Sequence, residues 1–202
     1  MKHKSQQERK IETKKKIVDA AMLLFSSQGY YQTNSKEIAR EAGVSTGSFY
    51  TYFADKKDAL KYILNTYTQE VISDSAVSDD DLILSIDRKA ILRDTIVKSF
   101  NLHNFSVGFY QQVRTLSIAD EEIGLIFEEY KRTILMRISK LLEHLASELP
   151  PDSREAASII IYAAIEGTVH TVKFSRTDQT EAVLIDELVR FVDSYLAALN
   201  KE

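Results

Sequence analysis

Hydroxyl side chains recur over a short stretch of the chain, at Thr46, Ser48, Tyr50 and Tyr52, and Gly47 lies among them. Threonine and serine hydroxyls can donate to or accept from the edges of DNA bases, and a tyrosine hydroxyl can donate to a phosphate oxygen. Because Gly47 has no side chain, the backbone there can approach a partner closely. The spacing therefore predicts a short helix whose first turn enters the major groove of DNA.

Residues on either side of that stretch extend the predicted contact to phosphate. Thr33 and Lys36 lie around the start of the preceding helix, and Lys56 lies in the first turn of the following helix. A helix N-terminus and a lysine ammonium both attract an anion. Two alternatives stay open: one of the tyrosine rings could pack in the core, and Lys56 could be a solvated side chain.

The predicted surface needs a helix, a tight turn and a second helix to hold it. Gly43 can adopt the positive φ that ends a helix in a turn, and the small Ala39 lets two helices cross closely. Val44 and Phe49 supply apolar side chains beneath the crossing. Ser45 is placed to cap the second helix, and we include it among the DNA-binding residues. This is a helix-turn-helix arrangement.

The same region resembles a known family. The chain reads FSSQGYYQT over residues 25–33, IA over 38–39, AGVS over 42–45, GSFY over 47–50 and YFADK over 52–56. These motifs resemble the DNA-binding head of the tetracycline-repressor (TetR) family, and the match covers residues 12–62. Ser35 departs from the family pattern, which usually has an apolar residue there. The resemblance implies a helical body that forms a dimer and binds a small ligand.

The whole chain is predicted to be all-α, with a head at residues 1–55 and a body at 56–202. It has only two prolines and six glycines among 202 residues, and no segment alternates apolar and polar residues as a strand would. Asn34, Ser45 and Asp55 are predicted helix caps, and residues 73–81 are predicted to form a loop. The other helices are expected at about 9–28, 85–104, 106–117, 120–148, 152–174 and 179–199.

Charge is distributed unevenly between these two parts. Residues 1–62 hold 12 basic and 7 acidic residues, and the remainder holds 14 basic and 23 acidic residues. A basic head on an acidic body fits a head that meets phosphate. No apolar run is long enough to span a membrane, and no secretory signal is recognisable, so we expect a cytoplasmic protein.

No set of residues in the sequence predicts an enzyme. The chain has no cysteine, no phosphate-binding glycine loop and no zinc-protease helix motif. His103, His144 and His170 are far apart in sequence, which disfavours a metal site made of histidines. We therefore expect no catalytic residues, no metal and no cofactor.

A ligand site is predicted on the helix that follows the two prolines. Tyr162, Glu166 and His170 recur at intervals of four residues among mostly apolar neighbours. Polar groups in such a setting must be paired, must lie at a subunit interface or must face a ligand. With aromatic residues elsewhere in the body, the candidate ligand-binding residues are Tyr67, His103, Phe109, Tyr130, Tyr162, Glu166 and His170.

A dimer interface is predicted on the last two helices. Their apolar arc is wider than one face of a monomer needs, and a mid-helix glycine allows close approach of another helix. The candidate interface residues are Gly167, Leu184, Leu188, Phe191, Tyr195 and Leu196.

Together these features predict a homodimeric transcriptional regulator, acting as a repressor on a near-palindromic operator. Because few charges fall on the apolar stripes of the body, we expect an apolar or amphipathic ligand to release it from DNA. The alternative is a helical ligand-binding or protein-interaction module with little or no specific DNA binding.

Overall fold

A computed structural model describes residues 5–74, 87–103, 106–175 and 177–199. Within these ranges the secondary structure consists of nine α-helices, which confirms the all-α prediction. The helices are α1 (Gln6–Ser27), α2 (Ser35–Glu41), α3 (Thr46–Tyr52), α4 (Lys56–Asp74), α5 (Arg88–Leu102), α6 (Val107–Ala119), α7 (Glu121–Leu145), α8 (Pro151–Phe174) and α9 (Glu181–Leu199). The predicted loop at 73–81 lies mostly outside the described residues.

The helices of the head begin where side chains satisfy their first amide groups. The Asn34 side chain accepts a hydrogen bond from the Glu37 N–H, and the Glu37 carboxylate accepts one from the Asn34 N–H at 3.1 Å. At the start of α3 the Ser45 hydroxyl accepts a bond from the Ser48 N–H at 3.0 Å. The capping interactions predicted for these two helices are therefore present.

Glycine ends the first two helices. Gly29 has a φ of 89° and Gly43 has a φ of 66°, a backbone region that L side chains rarely adopt. Asp55 caps α4, since its Oδ1 accepts a hydrogen bond from the Asp58 N–H at 2.8 Å. The positions of these turns fix where α2, α3 and α4 start.

The chain divides into two compact units, and their boundary differs from the predicted one at residue 55. The first unit comprises Met1–Tyr67 and Phe105–Phe127, and the second comprises Thr68–Asn104 and Glu128–Glu202. The first half of α4 belongs with the head because Leu60 and Ile63 are buried in the head's core. The helix α6 belongs there for the same reason.

The helix α6 packs closely against α1 in the first unit. A methyl group at Gly108 would collide with the backbone carbonyl oxygen of Ser26, so only glycine fits at this contact. The Gln112 Oε1 atom accepts a hydrogen bond from the Tyr30 N–H at 3.3 Å. Phe109, predicted to bind ligand, is 1% exposed in the core of this unit, and we correct it to a core residue.

The second unit has its own apolar core, formed by α5, α8, α9 and the later part of α7. Leu188 is 6% exposed and Leu196 is fully buried in this core within a single chain. Their assignment to a dimer interface is therefore corrected: both side chains already stabilise the protomer, and a second subunit could not reach them without opening the core.

Candidate DNA-binding surface and candidate ligand site

The helix α3 is held from beneath by aromatic side chains. Phe49 is fully buried and Phe53 is 3% exposed, with their ring centroids 5.9 Å apart. The helix is only seven residues long, so this anchoring decides which of its faces is exposed. Gly47, Ser48 and Tyr50 point away from Phe49, whereas Thr46 and Tyr52 are each three residues from Phe49 and lie nearer its side of the helix.

The predicted base-reading residues lie on the exposed side of α3. Gly47 is exposed, and Thr46 and Ser48 are partly exposed in the first turn. Tyr50 is 54% exposed, whereas Tyr52 is only partly exposed and packs against the core of the first unit. Tyr50 is thus the more accessible of the two hydroxyls.

Ser45 and Thr33 have internal roles in the structure. The Ser45 hydroxyl caps α3, so its first task is to position the helix. Thr33 is 1% exposed; its hydroxyl donates to the Gly29 carbonyl at 2.8 Å and accepts from Gln28 Nε2 at 3.2 Å. Thr33 is therefore corrected from a phosphate contact to a residue that stabilises the turn between α1 and α2. Lys36 is exposed at the start of α2.

Lys56 clamps that same turn from the start of α4. Its Nζ donates to the carbonyl oxygens of Tyr30 at 2.8 Å, Tyr31 at 3.4 Å and Thr33 at 2.7 Å. It also lies 4.5 Å from the centre of the Tyr30 ring. Since an ammonium group has three N–H donors, a phosphate would meet the charge of Lys56 rather than a free donor. Burial lowers the pKa of Lys56, against the opposing effects of Asp55 and Glu37.

A cluster of ion pairs joins α4 to the start of α7 inside the first unit. The Lys57 Nζ lies 2.8 Å from Asp120 and 3.1 Å from Glu122, and the Lys61 Nζ lies 2.8 Å from Glu122. Hydrogen bonds from the lysines lower the pKa of both carboxyls. No local pattern in the sequence indicates this cluster, because its basic and acidic members lie in distant segments of the chain.

In the second unit the fold brings together three predicted ligand-binding residues. The Glu166 Oε2 atom lies 3.5 Å from His103 Nε2 and 3.2 Å from His170 Nε2. Glu166 and His170 are one turn apart on α8, whereas His103 comes from the end of α5. The ring of Phe174 lies beside both imidazoles, 5.8 Å from the His170 centroid and 6.5 Å from the His103 centroid.

The protonation of this cluster follows from its burial and its hydrogen bonds. Burial alone raises the pKa of Glu166, but the hydrogen bonds and charges of the two histidines outweigh it and lower the pKa to about 2. Burial lowers the pKa of His103, yet the Glu166 carboxylate overcomes this and the net direction is upward. The cluster therefore favours a buried carboxylate that is held against positive charge.

The remaining ligand candidates are distributed differently. Tyr130 and Tyr162 are partly exposed on α7 and α8 of the second unit, and Tyr67 belongs to the first unit. The sequence identified the Glu166–His170 pair from its helical spacing. Only folding places His103 beside that pair, because no local pattern connects residues so far apart.

Large apolar side chains remain exposed on α8 and α9. Ile160 is 44% exposed and Phe191 is 49% exposed, and the Phe191 ring stacks on Tyr195 with the centroids 6.5 Å apart. Gly167 is exposed, and a methyl group there would meet open space. Leu184 is partly exposed. Four of the six predicted interface residues thus reach the surface of the second unit.

None of the helices in the described part of the chain combines the length and the apolar run that crossing a membrane requires.

A family model described as bacterial regulatory proteins, tetR family, matches residues 17–63. This segment contains α2, α3 and the start of α4, and so covers the candidate DNA-binding surface.

Two curated relatives match the same region. The HTH-type transcriptional regulator HbdR of Aromatoleum sp. (strain CIB) is 53% identical over 64 residues, which is 30% of this chain and 28% of HbdR. The HTH-type transcriptional regulator AcrR of Shigella flexneri is 44% identical over 63 residues, covering 31% of this chain and 29% of AcrR. In both cases the match covers less than a third of the relative's own length.

The fold as a whole is similar to solved structures. A structure from Mesorhizobium loti, described as a TetR-family transcriptional regulator, superposes with a TM-score of 0.73 at 19% identity. The match covers 94% of this chain and 98% of the other. At this identity the likeness shows a shared helical fold, including the body that lies outside the HbdR and AcrR matches.

Proposed function

Because the chain belongs to the tetR family of bacterial regulatory proteins, we propose that it is a cytoplasmic, homodimeric repressor of transcription. It binds a near-palindromic operator and is released from it by a small apolar or amphipathic ligand. The observation that carries the proposal is α3, an exposed helix with hydroxyl groups in its first turn and a fully buried Phe49 beneath it.

The helix α3, which we call the reading helix, supports base contacts made from a fixed position. Thr46 and Ser48 flank the exposed Gly47, so backbone and hydroxyls together can approach a base edge. Tyr50 and Lys36 extend the surface to either side with groups suited to phosphate. Lys56 supports it by holding the turn before α2 and by adding positive charge.

A two-fold dimer supports operator binding because two reading helices must reach successive major grooves, about 34–36 Å apart. The exposed apolar groups of α8 and α9 are suited to such an interface, and Gly167 permits a close approach of the partner helix. Ile160, Phe191 and Leu184 would lie in it. Buried Leu188 and Leu196 would support it from within the protomer.

Two helices supply a route for ligand control. The chain passes from the first unit to the second within α4, after Tyr67, and again within α7, after Phe127. A ligand that prefers a different tilt of α4 would move the reading helices away from groove spacing. Its differential affinity for the two arrangements sets how far the equilibrium shifts.

DNA binding is tested with genomic fragments that the purified protein retains at moderate salt. Sequencing should return a near-palindromic site, and Thr46→Ala or Ser48→Ala should alter preference at one or two base pairs per half-site by roughly 1–3 kcal/mol. Thr115→Ala, on the exposed face of α6, is the matched control and should keep the wild-type preference.

Fragments retained without any shared sequence would support the alternative, a helical module with little specific DNA binding. If a shared site appears but neither alanine variant changes it, α3 does not read bases. Specificity would then come from the shape of the DNA.

The dimer is tested by placing charge on its proposed face. The Ile160→Asp, Phe191→Asp double variant should become monomeric by light scattering and should bind the retained site weakly, because it buries unpaired charge at the interface. Ile118→Asp is the control, since Ile118 is 85% exposed in the first unit. A double variant that stays dimeric would refute this interface.

A further inference from the structure

We propose that His103, Glu166 and His170 form a binding site for a divalent transition-metal ion of the Zn²⁺ class. One ligand atom from each residue lies within 4.8 Å of the others. Two imidazoles and one carboxylate are a donor set suited to zinc and its neighbours rather than to magnesium or calcium, which prefer oxygen.

Two of the three separations match those between ligands on one metal ion. For metal–ligand bonds of about 2.0–2.2 Å in tetrahedral geometry, two ligand atoms lie about 3.4 Å apart. The Glu166 Oε2 atom is 3.5 Å from His103 Nε2 and 3.2 Å from His170 Nε2. A metal ion could therefore enter with small side-chain movements.

The tautomer of His103 is the one that metal binding requires. Its Nδ1 lies 2.7 Å from the Ser99 carbonyl oxygen. A carbonyl can only accept, so Nδ1 carries the proton and Nε2 is the nitrogen directed at Glu166. A backbone carbonyl that fixes one imidazole nitrogen and aims the other at a metal is the usual support for a histidine ligand.

The surroundings of the cluster favour a cation. A neutral Nε2 lone pair facing a carboxylate is repulsive unless a proton or a metal ion lies between them. The His103 side chain is 8% exposed and that of Glu166 is 16% exposed, so water screens their charges little. His103 also follows the last turn of α5, where the helix dipole attracts positive charge.

Helix geometry brings the other two ligands to the same side. Glu166 and His170 are four residues apart on α8, the spacing at which two side chains of a helix can bind one metal ion. The His170 side chain is 29% exposed, which leaves an entry path. The regulatory part of this inference rests on the proposed function: metal binding at this cluster changes DNA affinity.

The test begins with zinc binding in the absence of DNA. The metal-free chain carrying His3→Gln, which removes a histidine outside the described residues, is titrated with Zn²⁺ against a chromophoric chelator. We expect one zinc per chain, with affinity more than about tenfold weaker in His103→Gln, Glu166→Gln and His170→Gln. His144→Gln is the matched control, a partly exposed histidine of the same unit outside the cluster, and should bind like the parent.

Circular dichroism of each variant separates weaker metal binding from misfolding, and the partly exposed His170 is the position at which folding is least at risk. Mg²⁺ should not compete. Zinc that binds with a stoichiometry below one, or with unchanged affinity in all three cluster variants, would overturn the metal site.

The second arm measures DNA affinity of the parent and of His170→Gln with Zn²⁺ and with chelator. A zinc-dependent change in the parent that is absent in the variant supports regulation through this site. Zinc binding without any change in DNA affinity overturns the regulatory part alone. If the protein shows no sequence preference in DNA binding, with or without zinc, the proposed function is wrong. The metal site is then judged by the zinc titration alone.

Discussion

One polar feature in each unit is satisfied in a different way. In the first unit, side chains around the turn between α1 and α2 bind the backbone: Lys56 donates to three carbonyls, Thr33 donates to one and Gln112 accepts from an amide. In the second unit the buried cluster pairs side chains with one another, through Glu166 and the two histidines. A main-chain carbonyl or amide remains in place as a hydrogen-bond partner while the unit is folded. A proton or metal ion held between side chains can be exchanged with solvent.

This difference separates a fixed part of the molecule from an adjustable one. The head must present α3 in one geometry, and bonds to main-chain groups fix that geometry under all conditions in which the head is folded. The proposed metal site must change state when its occupant changes, and a cluster of side chains allows this. Variants of the first unit should therefore be destabilised equally with zinc and with chelator.

Gly108→Ala tests the fixed α1–α6 packing most severely and should have the largest effect. Its methyl group would meet the Ser26 carbonyl, and neither helix backbone can move without separating α6 from α1. We expect the free energy of unfolding to fall by about 3 kcal/mol, measured by urea denaturation. Gly47→Ala is the control, because a methyl group there would make only an ordinary contact with the Ser45 hydroxyl at 3.9 Å, and should not lower stability. If both variants were equally stable, the packing of α6 on α1 would be able to adjust to the added methyl group.

Lys56→Met should have the next largest effect. The substitution keeps an apolar stem but leaves three carbonyl oxygens without their donor, costing about 2 kcal/mol. Lys36→Met removes a lysine from an exposed site and should leave the melting temperature nearly unchanged. Both should lower the salt dependence of DNA binding, by about one unit of slope for each phosphate that is no longer neutralised. If Lys56→Met kept full stability, the lysine would be a phosphate ligand only.

Gln112→Leu should cost about 1 kcal/mol, since it leaves the Tyr30 N–H without its acceptor. Gln111→Leu is the neighbouring control on the exposed side of α6. Thermal unfolding with chelator and with zinc should show the same difference between the two variants. A difference that depends on zinc would break the distinction between a fixed and an adjustable unit.

Glu122→Gln should have the smallest effect, because the ion pairs of Lys57 and Lys61 are open to solvent. The folded-state pKa values of Glu122 and Asp120 are lowered. Their contribution is therefore complete above the unfolded values near about pH 4 and disappears as the pH falls through the folded values. The stability of the variant should fall less steeply below about pH 4.5, and high salt should reduce the difference from the parent. An identical acid profile would mean that the pairs do not stabilise the fold.

The features that could be predicted from the sequence are those that depend on residues close together in the chain. Asn34, Ser45 and Gly43 act within one turn of their own positions, so helix starts, the tight turn and the all-α class could be inferred directly. The i, i+4 spacing of Glu166 and His170 also depends on one helix alone.

Contacts between segments that are far apart in the sequence could not be predicted from such local patterns. Nothing near Gly108 indicates that α6 packs on α1, and nothing near Lys56 indicates three carbonyl partners. The sequence showed that the apolar arc on α9 is wide. It did not show which half of that arc is buried within the protomer. Leu188 and Phe191 look alike in the sequence, and only the packing of α5 and α8 separates them.

The Lys56 clamp also determines how the turn between α1 and α2 meets a protease. Tyr31 is 66% exposed in a surface turn beside Gly29, a place where an enzyme that cuts after aromatic residues would ordinarily act. Cleavage needs a stretch of extended chain in the protease cleft, and three carbonyls of this turn are held by an ammonium group that belongs to α4. The turn can open only if the hydrogen bonds from Lys56 on α4 break. The rate of cleavage at Tyr31 would therefore report unfolding of the whole head rather than local motion of one loop.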